Sequence, residues 1–124
     1  MSDQNLDLVR GGYDAFLRGD IAGVLGIMAD DVAWNVPQPL PQAGEANGQE
    51  EVGRFFERLL GIWADFNVVV EDFVSSGDRV CVIGRGSGKV DGRAASYGFV
   101  HCWTVAGDRV ARFDEYAAPG PELL

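Results

Sequence analysis

Apolar residues recur at three- and four-residue steps through Leu6, Val9, Tyr13, Phe16 and Leu17, which places them on one face of a first helix. Gly19-Asp20 ends it. Asp20 stands where its carboxylate can accept from the free N–H groups of a second, short helix carrying Ile21, Val24, Leu25 and Met28, with Ala29-Asp30-Asp31 closing that helix. From Val32 to Val36 the pattern changes to alternation, with Val32, Trp34 and Val36 on one face of a strand and Asn35 turned away. Pro37, Pro39 and Pro41 end the strand, and residues 37–48, rich in Pro, Gly, Gln and Asn, read as a loop long enough to be a lid or a pocket rim.

Helical spacing returns after Gly48. Glu50 and Glu51 favour a helix N-terminus, and Val52, Phe55, Phe56, Leu59 and Leu60 supply its buried stripe. Beyond it, residues 66–74 form a strand, Ser75-Ser76-Gly77-Asp78 a turn, and residues 79–85 the return strand of a hairpin. The Gly-Arg-Gly-Ser-Gly run at 84–88 reads as a strand end and turn, since it lacks the Lys-Ser/Thr ending and the following helix of a phosphate cradle. A fourth strand runs from about Ala94 to Val105, Gly107-Asp108 makes a tight turn, and a fifth runs from Val110 to about Tyr116. The order helix, helix, strand, helix and four long antiparallel strands is an α+β domain with helices on one face of a curved antiparallel sheet.

Composition narrows the function. The 124 residues fit one domain spanning 1–124, and 47% hydrophobic with 23% charged residues suits an ordinary globular core. Such a chain buries about two thirds of its unfolded surface without staples, leaving room for a small internal pocket. Ten Lys and Arg against 19 Asp and Glu give a net charge of −9 with no basic cluster, so neither nucleic acid nor an anionic membrane is an expected partner. The N-terminal stretch has no basic lead or long apolar run, which makes a cytoplasmic location the expectation. Cys81 and Cys102 lack metal spacing and are expected to be small buried hydrophobes. His101 is the one histidine, without a metal cluster or a Gly-x-Ser-x-Gly elbow, so no metal or cofactor is expected.

Three stretches carry a resemblance to a known family. They are Gly19-Asp20 through Ala29-Asp30-Asp31-Val32-Ala33-Trp34 to Pro37, Gly48-Gln49-Glu50-Glu51-Val52 into Phe55-Phe56, and 99–105 through 112–116. In order and spacing they resemble the SnoaL-like polyketide cyclase and ketosteroid isomerase branch of the nuclear-transport-factor-two-like superfamily. The resemblance implies a curved sheet wrapped around three helices in a cone-shaped barrel with a central apolar pocket, present as a homodimer. It fixes activity less than fold, since this architecture hosts isomerases, cyclases, hydratases, hydrolases and non-enzymes.

Residue by residue, the carry-over is uneven. Ketosteroid isomerases place an Asp general base just before the proline that corresponds to Pro37, and here that position is Val36, which cannot accept a proton. Tyr13 lies near the place of the family's oxyanion-hole tyrosine, one residue out of the usual spacing to Asp20. The polyketide cyclases use a histidine on the penultimate strand and an acidic residue about fourteen positions later, which His101 and Glu115 match with Glu in place of Asp.

Strand parity decides whether those two side chains meet. A plain two-residue turn at Gly107-Asp108 sets His101 opposite Asp114, whereas one extra residue sets it opposite Glu115. The second register pairs Trp103 with Phe113 and gathers Phe99, His101, Trp103, Phe113 and Glu115 on one inner face, with Arg112 and Asp114 outside. It is preferred because the first would oppose Trp103 to Arg112.

His101 and Glu115 are therefore the candidate catalytic pair, and Tyr13, Phe16, Trp34, Phe55, Tyr97, Phe99, Trp103 and Phe113 the candidate substrate-binding residues. The expected function is cofactor-independent acid/base chemistry on a hydrophobic carbonyl compound, as in ring closure or a double-bond shift. The alternative is a ligand-binding or dimerisation module without chemistry, which Val36 favours. An epoxide hydrolase of this fold would need an Asp-Arg-Asp relay, and the sequence places none. Outside the family context His101 is a core residue and Glu115 an arginine partner or dimer contact. Val100, Cys102 and Thr104 lie on the outer sheet face that a second copy would cover.

Overall fold

The computed structural model describes residues 2–124. Two helices, α1 (Ser2–Leu17) and α2 (Ile21–Leu25), precede strands β1 (Met28–Val36) and β2 (Gly44–Asn47). Helix α3 (Gln49–Ile62) then leads into four long strands, β3 (Trp63–Ser76), β4 (Arg79–Val90), β5 (Arg93–Ala106) and β6 (Arg109–Pro119), and the chain ends in a short 3-10 turn, Pro121–Leu123. One curved, unclosed sheet takes the order β2-β1-β6-β5-β4-β3, with the three helices packed on its inner face. β1 runs parallel to β6, so the sheet is mixed where alternation alone pointed to an antiparallel one. Periodicity reports which face a strand buries and is silent on its direction.

The first helix and its stop follow the pattern. Val9 and Tyr13 are buried, Phe16 and Leu6 pack against the core, and Asp20 Oδ1 accepts from the Gly23 N–H at 2.9 Å to cap α2. Leu17 and Leu60, however, are half exposed. Each lies eight residues after the first fully buried valine of its helix, Val9 or Val52, which turns it about 80° off that direction to the edge of the stripe.

Met28 belongs to β1 rather than to α2. The Gly26 N–H closes the five-residue helix on Ala22 O, Ile27 O accepts from Val110 N at 2.8 Å, and Met28 pairs with Val110 and is fully buried. Strand pairing with a segment some eighty residues away overrides a helical spacing too short to hold alone. The expected loop at 37–48 contains β2, which pairs with β1 through Trp34 opposite Ala46, so that only 37–43 and Gly48 are irregular. Within that loop Leu40 and Gln42 are buried, so it plugs the core instead of lying over it.

The glycine run at 84–88 is neither strand end nor turn. β4 continues through it to Val90, and the reversal comes at Asp91-Gly92, whose φ angles of 53° and 78° give the primed turn that suits a hairpin. Gly84 and Gly86 face inward opposite Phe99 and Tyr97, whose rings lie so close that a Cβ on Gly84 would sit 2.7 Å from Phe99 Cζ and one on Gly86 2.6 Å from Tyr97 Cζ. Alternating glycines are thus the floor on which β5 aromatics rest.

On the outer face Cys81 and Cys102 are cross-strand neighbours, Sγ to Sγ 3.7 Å, and half-buried rather than buried. Burial, Cys81 and Asp114 push the Cys102 thiol up to about 11. Burial works against the Asp114 carboxylate, but hydrogen bonds from Arg112 and Asn35 hold it below its usual range. Asn35 therefore ties β1 to β6 outside the sheet, as the alternation implied. No helix of the described residues is long and apolar enough to cross a membrane.

Gly86→Ala is expected to lower stability by about 1–3 kcal/mol, the cost of forcing a methyl group against a packed ring, and urea unfolding measures it. An unchanged midpoint would mean that the ring moves aside freely.

Candidate active site

The two catalytic candidates are brought face to face by one unpaired residue. Beyond the Gly107-Asp108 turn, Ala106 pairs with Arg109 and Val105 with Val110, but Thr104 pairs with Arg112, leaving Ala111 as a bulge on β6. From there Trp103 stands opposite Phe113 and His101 opposite Glu115. The turn itself is the plain two-residue one, and the bulge supplies the extra residue that inner-face burial requires.

His101 and Glu115 are 9% and 7% exposed, making them, with Gln42, the buried polar or charged residues of the described chain. His101 Nε2 lies 3.3 Å from Glu115 Oε2, yet that oxygen has no hydrogen-bond partner of acceptable geometry. On its other side the imidazole Nδ1 is 2.5 Å from the Tyr13 hydroxyl, which in turn accepts from Trp103 Nε1–H at 3.0 Å. An indole N–H can only donate, so the Tyr13 oxygen accepts from Trp103, while the donor between Tyr13 and Nδ1 follows from the imidazole tautomer. Phe99 stacks flat on the imidazole at 3.8 Å and 6°, and Phe113 meets it edge-on.

A second directed chain approaches from the other end. Trp63 Nε1–H donates to Gln42 Oε1 at 3.0 Å, and Gln42 Nε2 donates to the Tyr97 hydroxyl at 3.3 Å. Arg58 Nη2 holds the Gln42 carbonyl at 2.9 Å. Gln42 escaped the sequence reading because one glutamine in a Pro-rich stretch carries no periodic signal.

Between the chains is a cavity of about 70 Å³. Of the candidate binding residues Tyr13, Phe16, Trp34, Phe55, Tyr97, Trp103 and Phe113 line it, together with His101, Glu115 and Gln42. Phe99 does not reach it and serves as the plate beneath His101. Phe16, Phe66 and Val68 are the half-buried members of the lining, which places the rim between α1 and β3. Trp34 Nε1 joins Glu115 Oε2 as a buried polar atom without a partner. Tyr13, near the family's oxyanion position, is bonded to both His101 Nδ1 and Trp103 Nε1. Among the described residues no group of three or more His, Cys, Asp or Glu gathers as a metal site.

Burial holds the Tyr13 phenol well above its ordinary range, only partly offset by the Trp103 N–H, and Glu115 pushes the same way. Burial and Glu115 likewise raise Tyr97 against the opposing Gln42 N–H. Both groups keep their protons folded but lose them unfolded above about pH 10, so the unfolded chain then binds fewer protons and stability falls as pH rises. Tyrosinate absorbance from Tyr13 and Tyr97 is expected to emerge only together with loss of far-ultraviolet ellipticity. Ionisation of either inside a folded chain would contradict the sealed chains.

The fold is shared with known proteins. The SnoaL-like domain model matches residues 9–113. The uncharacterized protein Rv0034 of Mycobacterium tuberculosis is 31% identical over 118 residues, 94% of this chain and 90% of that one. An NTF2-like protein of unknown function from Burkholderia pseudomallei superposes with a TM-score of 0.84 at 32% identity, covering 91% of this chain and 89% of that chain. TerC, co-crystallized with polyporic acid, superposes at 0.82 with 26% identity over 91% of this chain and 90% of its own. A cone of three helices on a curved sheet, matched over most of its length by family model and relatives alike, makes this chain a member of the SnoaL-like family.

Proposed function

We propose that the chain is a cofactor-independent acid/base enzyme for a small hydrophobic carbonyl compound, with Glu115 and His101 as the proton-transfer pair. The observation that carries this reading is Glu115 Oε2: buried, without a hydrogen bond, 3.3 Å from a ring nitrogen and on the wall of a mostly aromatic cavity. A carboxylate oxygen left open in such a place costs stability on the order of 1–3 kcal/mol, which a purely structural glutamate would avoid. Placed beside a substrate it takes a proton from the carbon next to the carbonyl. The C–H electron pair moves into the new C–C double bond and the carbonyl pair onto oxygen, giving an enolate. Re-protonation at another carbon shifts a double bond, and attack of the enolate on a second carbonyl closes a ring. His101 relays the proton to and from Glu115, held in orientation by Tyr13 and the Phe99 ring. The base would come from β6 because Val36 leaves β1 without one.

The half-buried rim at Phe16, Phe66 and Val68 is where a ligand larger than the cavity would press outward. The binding-only reading stands on Val36 and on the apolar walls. The co-crystal of TerC with polyporic acid supports an organic occupant for this fold. Ile83, Val100 and Tyr116 form one row across β4, β5 and β6 on the outer face, with Ile83 and Tyr116 exposed, which supports a second copy as its cover.

A panel of polyketide-like and steroid-like ketones separates the two readings. Glu115→Gln, equal in size but no base, is expected to lower turnover about a hundredfold or more, with His101→Ala close behind. Equal rates in wild type and Glu115→Gln remove the pair from the mechanism, and ketones that bind wild type without turnover leave the binding module. Light scattering is expected to give twice the chain mass, and Ile83→Glu to halve it; a monomeric wild type rules out the dimer.

A further inference from the structure

Two hydroxyls reach the cavity, and they are held differently. Tyr13 is engaged on both sides, by His101 Nδ1 and by the Trp103 indole N–H. For Tyr97 the direction of bonding is fixed from outside. Trp63 Nε1–H has nothing to accept with, so the group it meets at 3.0 Å must be the amide oxygen of Gln42, and the amide nitrogen must face Tyr97. That nitrogen donates to the Tyr97 oxygen, and among the described residues no group accepts the Tyr97 proton in return. The ring cannot swing away from this position toward β4, because its Cζ and hydroxyl lie where a Cβ on Gly86 would be, 2.6 and 2.8 Å from that point. Tyr97 is 3% exposed, Gln42 1%, and both line the same cavity as Glu115.

We propose that the Tyr97 hydroxyl is the hydrogen-bond donor to the oxygen of the bound compound, and that Gln42 is the positioning residue that leaves its proton free for that purpose. The compound is accordingly one whose oxygen gains negative charge, an enolisable ketone or a phenol. This assignment rests on the reading of the chamber as a carbonyl site and deepens it. As Glu115 removes the neighbouring proton, charge accumulates on the oxygen, and a donor already placed in a mostly apolar site stabilises it without reorganisation. The same Trp63-Gln42 pair that supports Tyr97 also pins the 37–43 loop into the core, joining loop position to donor position. Trp34 Nε1–H, the other donor without a partner, is the rival for the role.

The test uses 4-nitrophenolate, whose charged oxygen imitates an enolate, and nitrobenzene, the same ring without it. The first is followed by its visible absorption band and the second by quenching of tryptophan fluorescence. Tyr97→Phe is expected to weaken 4-nitrophenolate about tenfold to a hundredfold, the range for a hydrogen bond to a charged group, while nitrobenzene binds as before and so reports an intact chamber. Gln42→Met is expected to reproduce part of that selective loss, and the double variant to lose no more than Tyr97→Phe alone. Three results overturn the assignment: no 4-nitrophenolate binding to wild type, equal binding to wild type and Tyr97→Phe, or the selective loss appearing in Trp34→Phe instead. The probes undergo no proton transfer, so a ketone panel without turnover beside Tyr97-dependent binding defeats only the enzyme reading. Turnover with Tyr97-independent binding defeats only this assignment.

Discussion

Ala111 sets the geometry of everything near the chamber. Side chains on a strand change face at every step, so one unpaired residue between Val110 and Arg112 exchanges the inner and outer sets for the remainder of β6. With it, Phe113 and Glu115 point inward and Arg112 and Asp114 outward, where they form an ion pair of 2.7 Å. Without it an arginine would face Trp103, an uncompensated charge in an aromatic wall, while Phe113 would be stranded in water. Apolar burial selects the bulge, and the bulge selects which carboxylate meets the histidine. Val110 before the bulge and Phe113 after it are both buried, which an unbroken alternation could not give at a separation of three.

Around that register the polar groups are ordered by donors that cannot act as acceptors. Trp103 starts one chain, through Tyr13 to His101 and Glu115, and Trp63 starts the other, through Gln42 to Tyr97. The Trp63 N–H fixes the polarity of the bonds after it, so that chain ends at the cavity with a proton at Tyr97, while the open acceptor oxygen of Glu115 lies beside the end of the other. Polar chains in an apolar shell hold rotamers more tightly than packing alone, because leaving any member unpaired is costly.

Much of this was legible in the sequence where it depends on local period or on parity. The helical stripes, the Asp20 cap, the long strands and the His101 to Glu115 pairing all follow from spacing and from the wish to bury Trp103 and Phe113 together. The illegible part depends on contacts between segments far apart. Met28 joins a strand because Val110 is there to pair with it, β2 exists because β1 offers an edge, and Gln42 is polar and buried because Trp63 and Tyr97 flank it. The glycines at 84, 86 and 88 misled for a related reason: alone they signal a turn, and only against Phe99, Tyr97 and Trp63 do they become a place for rings. A period of two in glycine, facing a period of two in aromatics, was the available signal.

Those glycines also show how the chamber is afforded in a chain this small. Glycine in a strand interior gives up packing and adds unfolded-state entropy, so residues 84–88 are a poor choice for stability taken alone. Replacing them with β-branched residues would strengthen β4 as a strand and expel the rings of Tyr97 and Phe99 toward the helices, into the space the cavity occupies. The plate beneath His101 and the hydroxyl opposite Glu115 thus depend on the same locally unfavourable segment. A fold optimised only for its core would fill this volume; here a weakened strand, an open carboxylate oxygen and a phenolic proton that no described residue accepts converge on it.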